Sequence, residues 1–161
     1  MTGAAPAPIN LHATALVYDG VGVLITGASG AGKSLLALDL LDHAALAGHP
    51  AHLVADDQVL IEADGGALLA AAPPTTAGLI ELRGRGIVAR SHRTPAPIHL
   101  LLDLVEGLDR LPPAAAFVTE MAGIRIARAP IPSAGAADPV HRRLLALEAI
   151  ALCRAGAEKT T

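Results

Sequence analysis

A glycine-rich segment near the start of the chain has the composition of a loop that binds phosphate. Residues 27–34 read Gly-Ala-Ser-Gly-Ala-Gly-Lys-Ser, and the Gly-x-x-x-x-Gly-Lys-Ser spacing lets a tightly turned backbone aim several N–H groups at one anion. The stretch that follows is rich in Leu and Ala, so the dipole of a helix there would add to the attraction. We expect the Lys33 ammonium to reach the β- and γ-phosphates of ATP and the Ser34 hydroxyl to bind Mg²⁺. The sequence therefore predicts a nucleotide site that uses every residue of this glycine loop: Gly27, Ala28, Ser29, Gly30, Ala31, Gly32, Lys33 and Ser34.

Two adjacent carboxylates, Asp56 and Asp57, directly follow an apolar stretch. Phosphoryl transfer needs one carboxylate near the metal and a second group that accepts the proton of the acceptor hydroxyl. Neighbouring side chains at a strand end point in different directions, so Asp56 and Asp57 can divide these roles. A polar turn that closes the strand is the alternative. The sequence leaves open which aspartate takes which role.

Weaker local signals mark the segments that follow. Glu81, in the stretch Leu-Ile-Glu-Leu-Arg-Gly-Arg-Gly-Ile, is either the outward position of a strand or a ligand of Mg²⁺. Residues 83–93 contain four arginines and a histidine, and such a run is either a solvated face or a surface for an anionic partner. Arg110 has no distinguishing neighbours.

The interpretation of His12 depends on a predicted hairpin. The Asp-Gly pair at positions 19–20 favours a two-residue type I′ turn. Facing residues then have numbers that sum to 39, so Tyr18 faces Val21 and His12 falls opposite Gly27. This register places His12 at the mouth of the phosphate site, although a lone histidine beside a strand is more often structural.

The rest of the chain alternates short apolar runs with turn residues, which is typical of a single α/β domain. Helices are predicted over residues 34–47, closed by Gly48, and over residues 140–155. Residues 78–88 form a structured loop with short strands, and residues 130–139 are a linker. The predicted strands cover residues 13–18, 21–26, 52–55, 58–62, 67–72, 98–104, 115–119 and 124–129.

Composition excludes several classes of protein. The net charge of −3 and the pI of about 6.1 provide no bulk positive field for nucleic acid. The single cysteine, Cys153, excludes an intramolecular disulfide. We find neither the pattern of a signal peptide nor an apolar run long enough to span a membrane, so we expect a cytoplasmic protein without a membrane partner.

Five segments taken together resemble the catalytic domain of HPr kinase/phosphorylase. They are His12, the glycine loop, Leu-Val-Ala-Asp-Asp at 53–57, Ile-Glu-Leu-Arg-Gly-Arg-Gly-Ile at 80–87 and Asp-Arg-Leu at 109–111. The glycine loop is shared by many families, whereas the segments at 53–57 and 80–87 are far more specific. The resemblance implies an α/β fold, a P-loop-containing kinase domain with a mixed central sheet.

The same resemblance implies an activity and roles for individual residues. Members of the family phosphorylate a serine of HPr, a phosphocarrier of the bacterial phosphotransferase system, and remove that phosphate by phosphorolysis. By position, Asp57 would accept the proton in the forward reaction and donate it in the reverse. His12, Lys33 and Arg110 would complete the catalytic group. Ser34 and Glu81 would bind Mg²⁺, and Asp56 is a further candidate ligand.

The chain also departs from the family pattern. From the resemblance we expect this chain to lack the N-terminal domain of longer members. Ala-Pro-Ile-Pro-Ser-Ala-Gly-Ala-Ala-Asp-Pro at 129–139 replaces their Pro-x-Arg-Pro-Gly-Arg-Asn stretch. We expect a flexible tail over residues 1–11, a catalytic domain over residues 12–155 and a C-terminal tail over residues 156–161. These departures leave open whether the chain forms a homo-oligomer, whether it retains phosphorylase activity and whether metabolites regulate it.

Three functions are compatible with the sequence. The first is an ATP-dependent serine kinase whose substrate is a sugar-type or nitrogen-type HPr. The second is a small-molecule kinase or simple nucleotide hydrolase with the same loop. The third is a nucleotide-dependent binding module that transfers no phosphate. Asp57 distinguishes the kinase from the binding module, because only the kinase requires a proton acceptor.

Overall fold

The turn at residues 19–20 forms the first hairpin of the fold, as the sequence predicts. The computed structural model describes residues 6–159. In it Asp19 and Gly20 have φ angles of 48° and 84°, the left-handed values that a type I′ turn requires. Tyr18 pairs with Val21, and the pairing continues with the same register along the hairpin. The predicted register is therefore confirmed for these strands.

Ten strands and two helices follow one another along the described residues, with a 3₁₀ turn at Ala114–Phe117. The helices are α1 (Lys33–Ala47) and α2 (Pro139–Glu158). The strands are β1 (Ile9–Tyr18), β2 (Val21–Thr26), β3 (Ala51–Asp64), β4 (Ala67–Ala71), β5 (Leu79–Leu82), β6 (Gly86–Ala89), β7 (Ala96–Ile98), β8 (Leu100–Val105), β9 (Val118–Met121) and β10 (Ile124–Pro132).

Eight of these strands form one mixed sheet in the order β7-β4-β3-β1-β2-β8-β10-β9. Strands β2, β8 and β10 are parallel to one another, and the remaining neighbours are antiparallel. Strands β5 and β6 form a separate hairpin. The predicted α/β fold with a mixed central sheet is confirmed.

The sheet curls back on itself at His99. This single residue separates β7, which pairs with β4 at the outer edge, from β8, which pairs with β2 in the middle of the sheet. The Gly22 N–H donates to Nδ1 of His99 at 2.9 Å, and the His99 N–H donates to the Gly22 carbonyl at 2.8 Å. Strands β1–β4 are therefore enclosed between two parts of one nearly continuous strand.

The curl divides the core into two apolar clusters. On one face of the sheet, α1 and α2 bury Leu36, Leu40 and Ile150. The enclosed face packs against itself through residues such as Leu24 and Ile61. Each such side chain contributes about 1.5–3 kcal/mol when fully buried, which lets aliphatic residues stabilise a fold with almost no aromatics.

Two predicted boundaries at the N-terminal end are wrong. The strand predicted to end before Asp56 continues to Asp64 as β3, because β1 pairs with it over most of its length. The same pairing orders Ile9, so the predicted tail ends before that residue rather than at residue 11. Residues 1–5 lie outside the described part of the chain.

Boundaries near the C-terminus also differ from the prediction. Strand β10 continues to Pro132 beside β8, so the predicted linker at 130–139 is shorter. Asp138 caps α2, since its side chain accepts a hydrogen bond from the Val140 N–H at 2.7 Å. The helix continues to Glu158, past the predicted end at residue 155. No helix within residues 6–159 has the length and apolar composition that crossing a bilayer requires.

The close approach at the curl predicts that Gly22→Ala destabilises the fold. A Cβ atom at Gly22 would lie 1.7 Å from the Pro97 carbonyl oxygen, which is backbone and cannot rotate away. We expect the free energy of unfolding to fall by about 3 kcal/mol or more, measured by urea denaturation. Gly107→Ala is the matched control, because no atom lies within 4 Å of its Cβ position. Equal stability of the two variants would contradict this account of the curl.

The curl at His99 also predicts that the stability of the fold depends on pH. Burial lowers the pKa of His99 from its ordinary value of 6.5. Below that pH, the imidazole therefore binds a proton more readily in the unfolded chain than in the folded chain. The contribution of neutral His99 to the free energy of unfolding is fully present above about pH 6.5 and is lost as the pH falls through the lowered pKa. We expect the free energy of unfolding to decrease less between about pH 7.5 and pH 5.5 for His99→Asn than for the unsubstituted chain. An identical loss in both proteins would exclude His99 as the source.

Candidate active site

The glycine loop joins the end of β2 to the start of α1. Gly27, Gly30 and Gly32 have φ angles of 156°, 79° and 92°, so the backbone turns in a way that suits glycine. Lys33 is 7% exposed, and its ammonium donates hydrogen bonds to the carbonyls of Gly27 at 2.9 Å and Ala28 at 3.1 Å. The loop therefore has the predicted strand–loop–helix context, with the lysine folded over it.

The carboxylate of Asp56 joins the loop to two strands. Its Oδ1 accepts hydrogen bonds from the hydroxyls of Ser34 and Thr14, each at 2.7 Å. Its Oδ2 accepts the backbone N–H of Glu81 at 3.2 Å. Asp56 is only 6% exposed, and three donors from separate segments offset the cost of burying its charge.

Asp57 has the opposite surroundings. Its side chain is 72% exposed, and its Oδ1 lies 3.0 Å from Nε2 of His12. Its φ of 68° is left-handed, a conformation that costs roughly 1–2 kcal/mol for a residue with a Cβ atom. One buried and one exposed carboxylate therefore follow each other on β3, and the exposed one, Asp57, contacts His12.

The oxygens around the loop fit a magnesium ion. Mg²⁺ in phosphate sites usually keeps several waters and takes one or two protein carboxylates together with phosphate oxygens. The Ser34 hydroxyl and the Asp56 carboxylate, whose oxygens are 2.7 Å apart, would be the protein ligands of such an ion. Within residues 6–159 no three His, Cys, Asp or Glu side chains cluster as a metal site.

Glu81 and Arg110 are less closely joined to this group. Glu81 contacts Asp56 through its backbone N–H, and its own side chain is exposed. Arg110 lies in the loop after β8, whose carboxyl end adjoins that of β2, but it lines a groove beside α2. Among the described residues Arg110 makes no hydrogen bond or ion pair with the loop or the aspartates. Their roles as metal ligand and catalytic residue stay predictions.

Sequence reasoning missed residues that support the site. Thr14 lies directly opposite Asp56 on β1, and it could have been found because it is two residues from His12 and shares its face of the strand. Arg142 is buried against the glycine loop, and Asp103 on β8 accepts a hydrogen bond from the Thr26 hydroxyl at 3.3 Å. No local pattern marks either residue, because only the packing of distant strands and α2 brings them to the loop.

Comparison with known proteins identifies relatives of this chain. Residues 5–94 match the family model described as the HPr Serine kinase C-terminal domain. The chain is 45% identical over 78 residues to the HPr kinase/phosphorylase of Clostridium tetani, covering 48% of this chain and 24% of that protein. It is 43% identical over 102 residues to the HPr kinase/phosphorylase of a Geobacillus species, covering 58% of this chain and 31% of the relative. The matched part thus spans about a quarter to a third of these relatives.

A solved structure extends the similarity to nearly the whole chain. The Hpr(Ser) kinase/phosphatase from Coxiella burnetii superposes with a TM-score of 0.72 at 29% identity, covering 93% of this chain and 99% of that one. The family model itself covers more than half of the sequence, and it includes the glycine loop, both aspartates and Glu81. The chain therefore belongs to the HPr serine kinase C-terminal domain family, as its resemblance predicts.

Proposed function

We propose that this chain is an ATP- and Mg²⁺-dependent protein kinase that phosphorylates a serine of HPr and thereby regulates the phosphotransferase system of the cytoplasm. The main support for this proposal is the arrangement of the two aspartates beside the glycine loop. The buried Asp56 is hydrogen-bonded to Ser34 of the glycine loop, and the exposed Asp57 follows it directly. A phosphate held by the loop would therefore lie beside an accessible carboxylate. A sugar-type and a nitrogen-type HPr are both candidate substrates.

The surroundings of the two aspartates support a division of roles. Asp56 is buried and bonded to Ser34, which suits a ligand of Mg²⁺; bound there, the ion would neutralise charge on the phosphate oxygens. Asp57 is open to solvent and is oriented by His12, which suits contact with a second protein. We therefore assign Asp57 as the proton acceptor and Asp56 as a metal ligand, with Glu81 as a second candidate ligand.

In the forward reaction the serine oxygen of HPr attacks the γ-phosphorus of ATP. Asp57 accepts the hydroxyl proton, a bond forms between the serine oxygen and phosphorus, and the bond between phosphorus and the bridging oxygen of ADP breaks. Lys33 and Arg110 offset negative charge on the transferring group. His12 holds the carboxylate of Asp57 toward the attacking hydroxyl.

The reverse reaction uses the same groups. When inorganic phosphate attacks phosphoserine, a new phosphorus–oxygen bond forms and the bond to the serine oxygen breaks, which yields pyrophosphate. The protonated Asp57 returns its proton to the serine oxygen, as microscopic reversibility requires. One site, formed within residues 12–155, would thus catalyse both directions.

The first test removes the proton acceptor. We expect Asp57→Asn to lower the rate of phosphoserine formation on HPr by about a hundredfold or more, while ATP binds with unchanged affinity. Transfer is measured by mass spectrometry with Mg²⁺ and ATP, and binding by calorimetry. Asp64→Asn is the matched control, since Asp64 is an exposed aspartate on the same strand and should transfer phosphate at the normal rate.

Three results would contradict the proposal, the first its assignment of Asp57 and the other two its assignment of HPr as substrate. Undiminished transfer by Asp57→Asn would move the role of proton acceptor to another residue. ATP binding by the unsubstituted chain without transfer to either type of HPr would favour a nucleotide-dependent binding module. Phosphorylation of a small molecule instead of HPr would favour the second kinase hypothesis.

The second test addresses the metal ligand. We expect Asp56→Asn to raise the Mg²⁺ concentration that gives half-maximal transfer by roughly tenfold or more, because an amide is a weaker ligand than a carboxylate. The measurement is a Mg²⁺ titration at saturating ATP. Asp42→Asn, an exposed change on α1, should leave the titration unchanged. An unaltered Mg²⁺ requirement in Asp56→Asn would exclude Asp56 as a ligand.

A further inference from the structure

Arg142 on α2 is a buried cation that faces the outer side of the glycine loop. It is only 4% exposed, and arginine is rarely buried to this extent without a carboxylate partner. Among residues 6–159 no carboxylate lies within salt-bridge distance of its guanidinium. Its neighbour Arg143 differs in this respect, because it pairs with Asp39 of α1 at 2.9 Å.

The guanidinium of Arg142 bonds backbone carbonyls instead. Its Nε donates to the Pro132 carbonyl at 2.8 Å, at the end of β10. One terminal nitrogen donates to the Ala31 carbonyl at 3.2 Å and lies 3.5 Å from the Gly32 carbonyl. The backbone N–H of Ala134 donates to the same Ala31 carbonyl at 2.9 Å. Donors from the C-terminal third of the chain thus converge on one peptide unit of the loop.

Because peptides are planar, these contacts also fix the direction of the backbone N–H groups in the loop. The carbonyl of each residue and the N–H of the next share a planar trans peptide and point in opposite directions. Holding the carbonyls of Ala31 and Gly32 against α2 therefore aims the N–H groups of Gly32 and Lys33 to the other side. These are amides that a loop of this type directs at phosphate.

The fit at Gly32 is close, and its backbone conformation favours glycine. A Cβ atom there would lie 3.0 Å from the Ala134 Cβ and 3.1 Å from a terminal nitrogen of Arg142. Gly32 also has a left-handed φ of 92°. The C-terminal segment and the loop are therefore in direct contact.

We propose that Arg142 is a positioning residue for nucleotide binding: it fixes the Ala31 and Gly32 carbonyls so that the Gly32 and Lys33 amides face the phosphates. The inference rests on the proposed nucleotide site and adds a residue outside the part matched by the family model, residues 5–94. The guanidinium also places positive charge behind the loop, where low dielectric strengthens its attraction for phosphate. Arg142 touches no reacting atom and acts through the loop backbone.

The test compares Arg142→Gln and Arg142→Lys with Arg143→Gln in the full chain. Calorimetry with ATP and Mg²⁺ should show Kd raised about tenfold or more for Arg142→Gln, since hydrogen bonds from a charged group are lost. Arg142→Lys should recover little, because an ammonium lacks the planar fork that reaches Pro132 and the loop together. Arg143→Gln, one residue along the same helix, should bind ATP with unchanged affinity.

Two further measurements separate positioning from a general effect on folding. In steady-state assays of variants shown to be folded by circular dichroism, KM for ATP should rise more than kcat falls, and KM for HPr should stay unchanged. In NMR spectra, the Gly32 and Lys33 amide signals should respond less to ATP in Arg142→Lys than in the unsubstituted chain. The NMR comparison suffices if Arg142→Gln does not fold.

The outcomes distinguish this inference from the function on which it rests. If the unsubstituted chain binds no ATP, the proposed nucleotide site fails and the role of Arg142 fails with it. If the unsubstituted chain binds ATP and folded Arg142 variants bind it equally well, with unchanged amide responses, the positioning role alone is overturned.

Discussion

The carboxylate of Asp56 accepts hydrogen bonds from three segments that are distant in sequence: β1 through Thr14, the glycine loop through Ser34 and β5 through Glu81. A buried carboxylate without such donors would cost several kcal/mol, so the packing of these segments and the presence of the charge depend on each other. The arrangement fixes the start of α1 relative to β3. Every chemical role assigned to the neighbouring residues depends on that placement.

Two surfaces hold the glycine loop, and they come from different parts of the chain. Asp56 approaches Ser34 from β3, and Arg142 approaches the carbonyls of Ala31 and Gly32 from α2. These contacts hold the loop from two sides. Preorganised donors of this kind stabilise developing charge without reorganisation at the moment of reaction. Asp57 lies outside these contacts, with 72% of its side chain exposed.

Much of this arrangement could be predicted from sequence, because local signals specified it. The Asp19-Gly20 turn fixed the β1–β2 register, and the Leu- and Ala-rich stretch after the glycine loop predicted α1 with its Gly48 cap. The full length of β3 was missed, because pairing with β1 carries the strand through two aspartates that locally resemble a turn. Arg142 gave no signal either, since its burial depends on α2 packing against a loop more than one hundred residues earlier.

The central claim is that the two aspartates and the glycine loop form one site for phosphoryl transfer. The most direct measurement is a crystal structure with Mg²⁺ and a non-hydrolysable ATP analogue. The account predicts that the β- and γ-phosphates contact the loop amides and Lys33, that Ser34 and Asp56 lie in the coordination sphere of the metal, and that Asp57 faces the open side of the γ-phosphate. A γ-phosphate directed away from Asp57, with a metal that has no contact with Asp56, would contradict it.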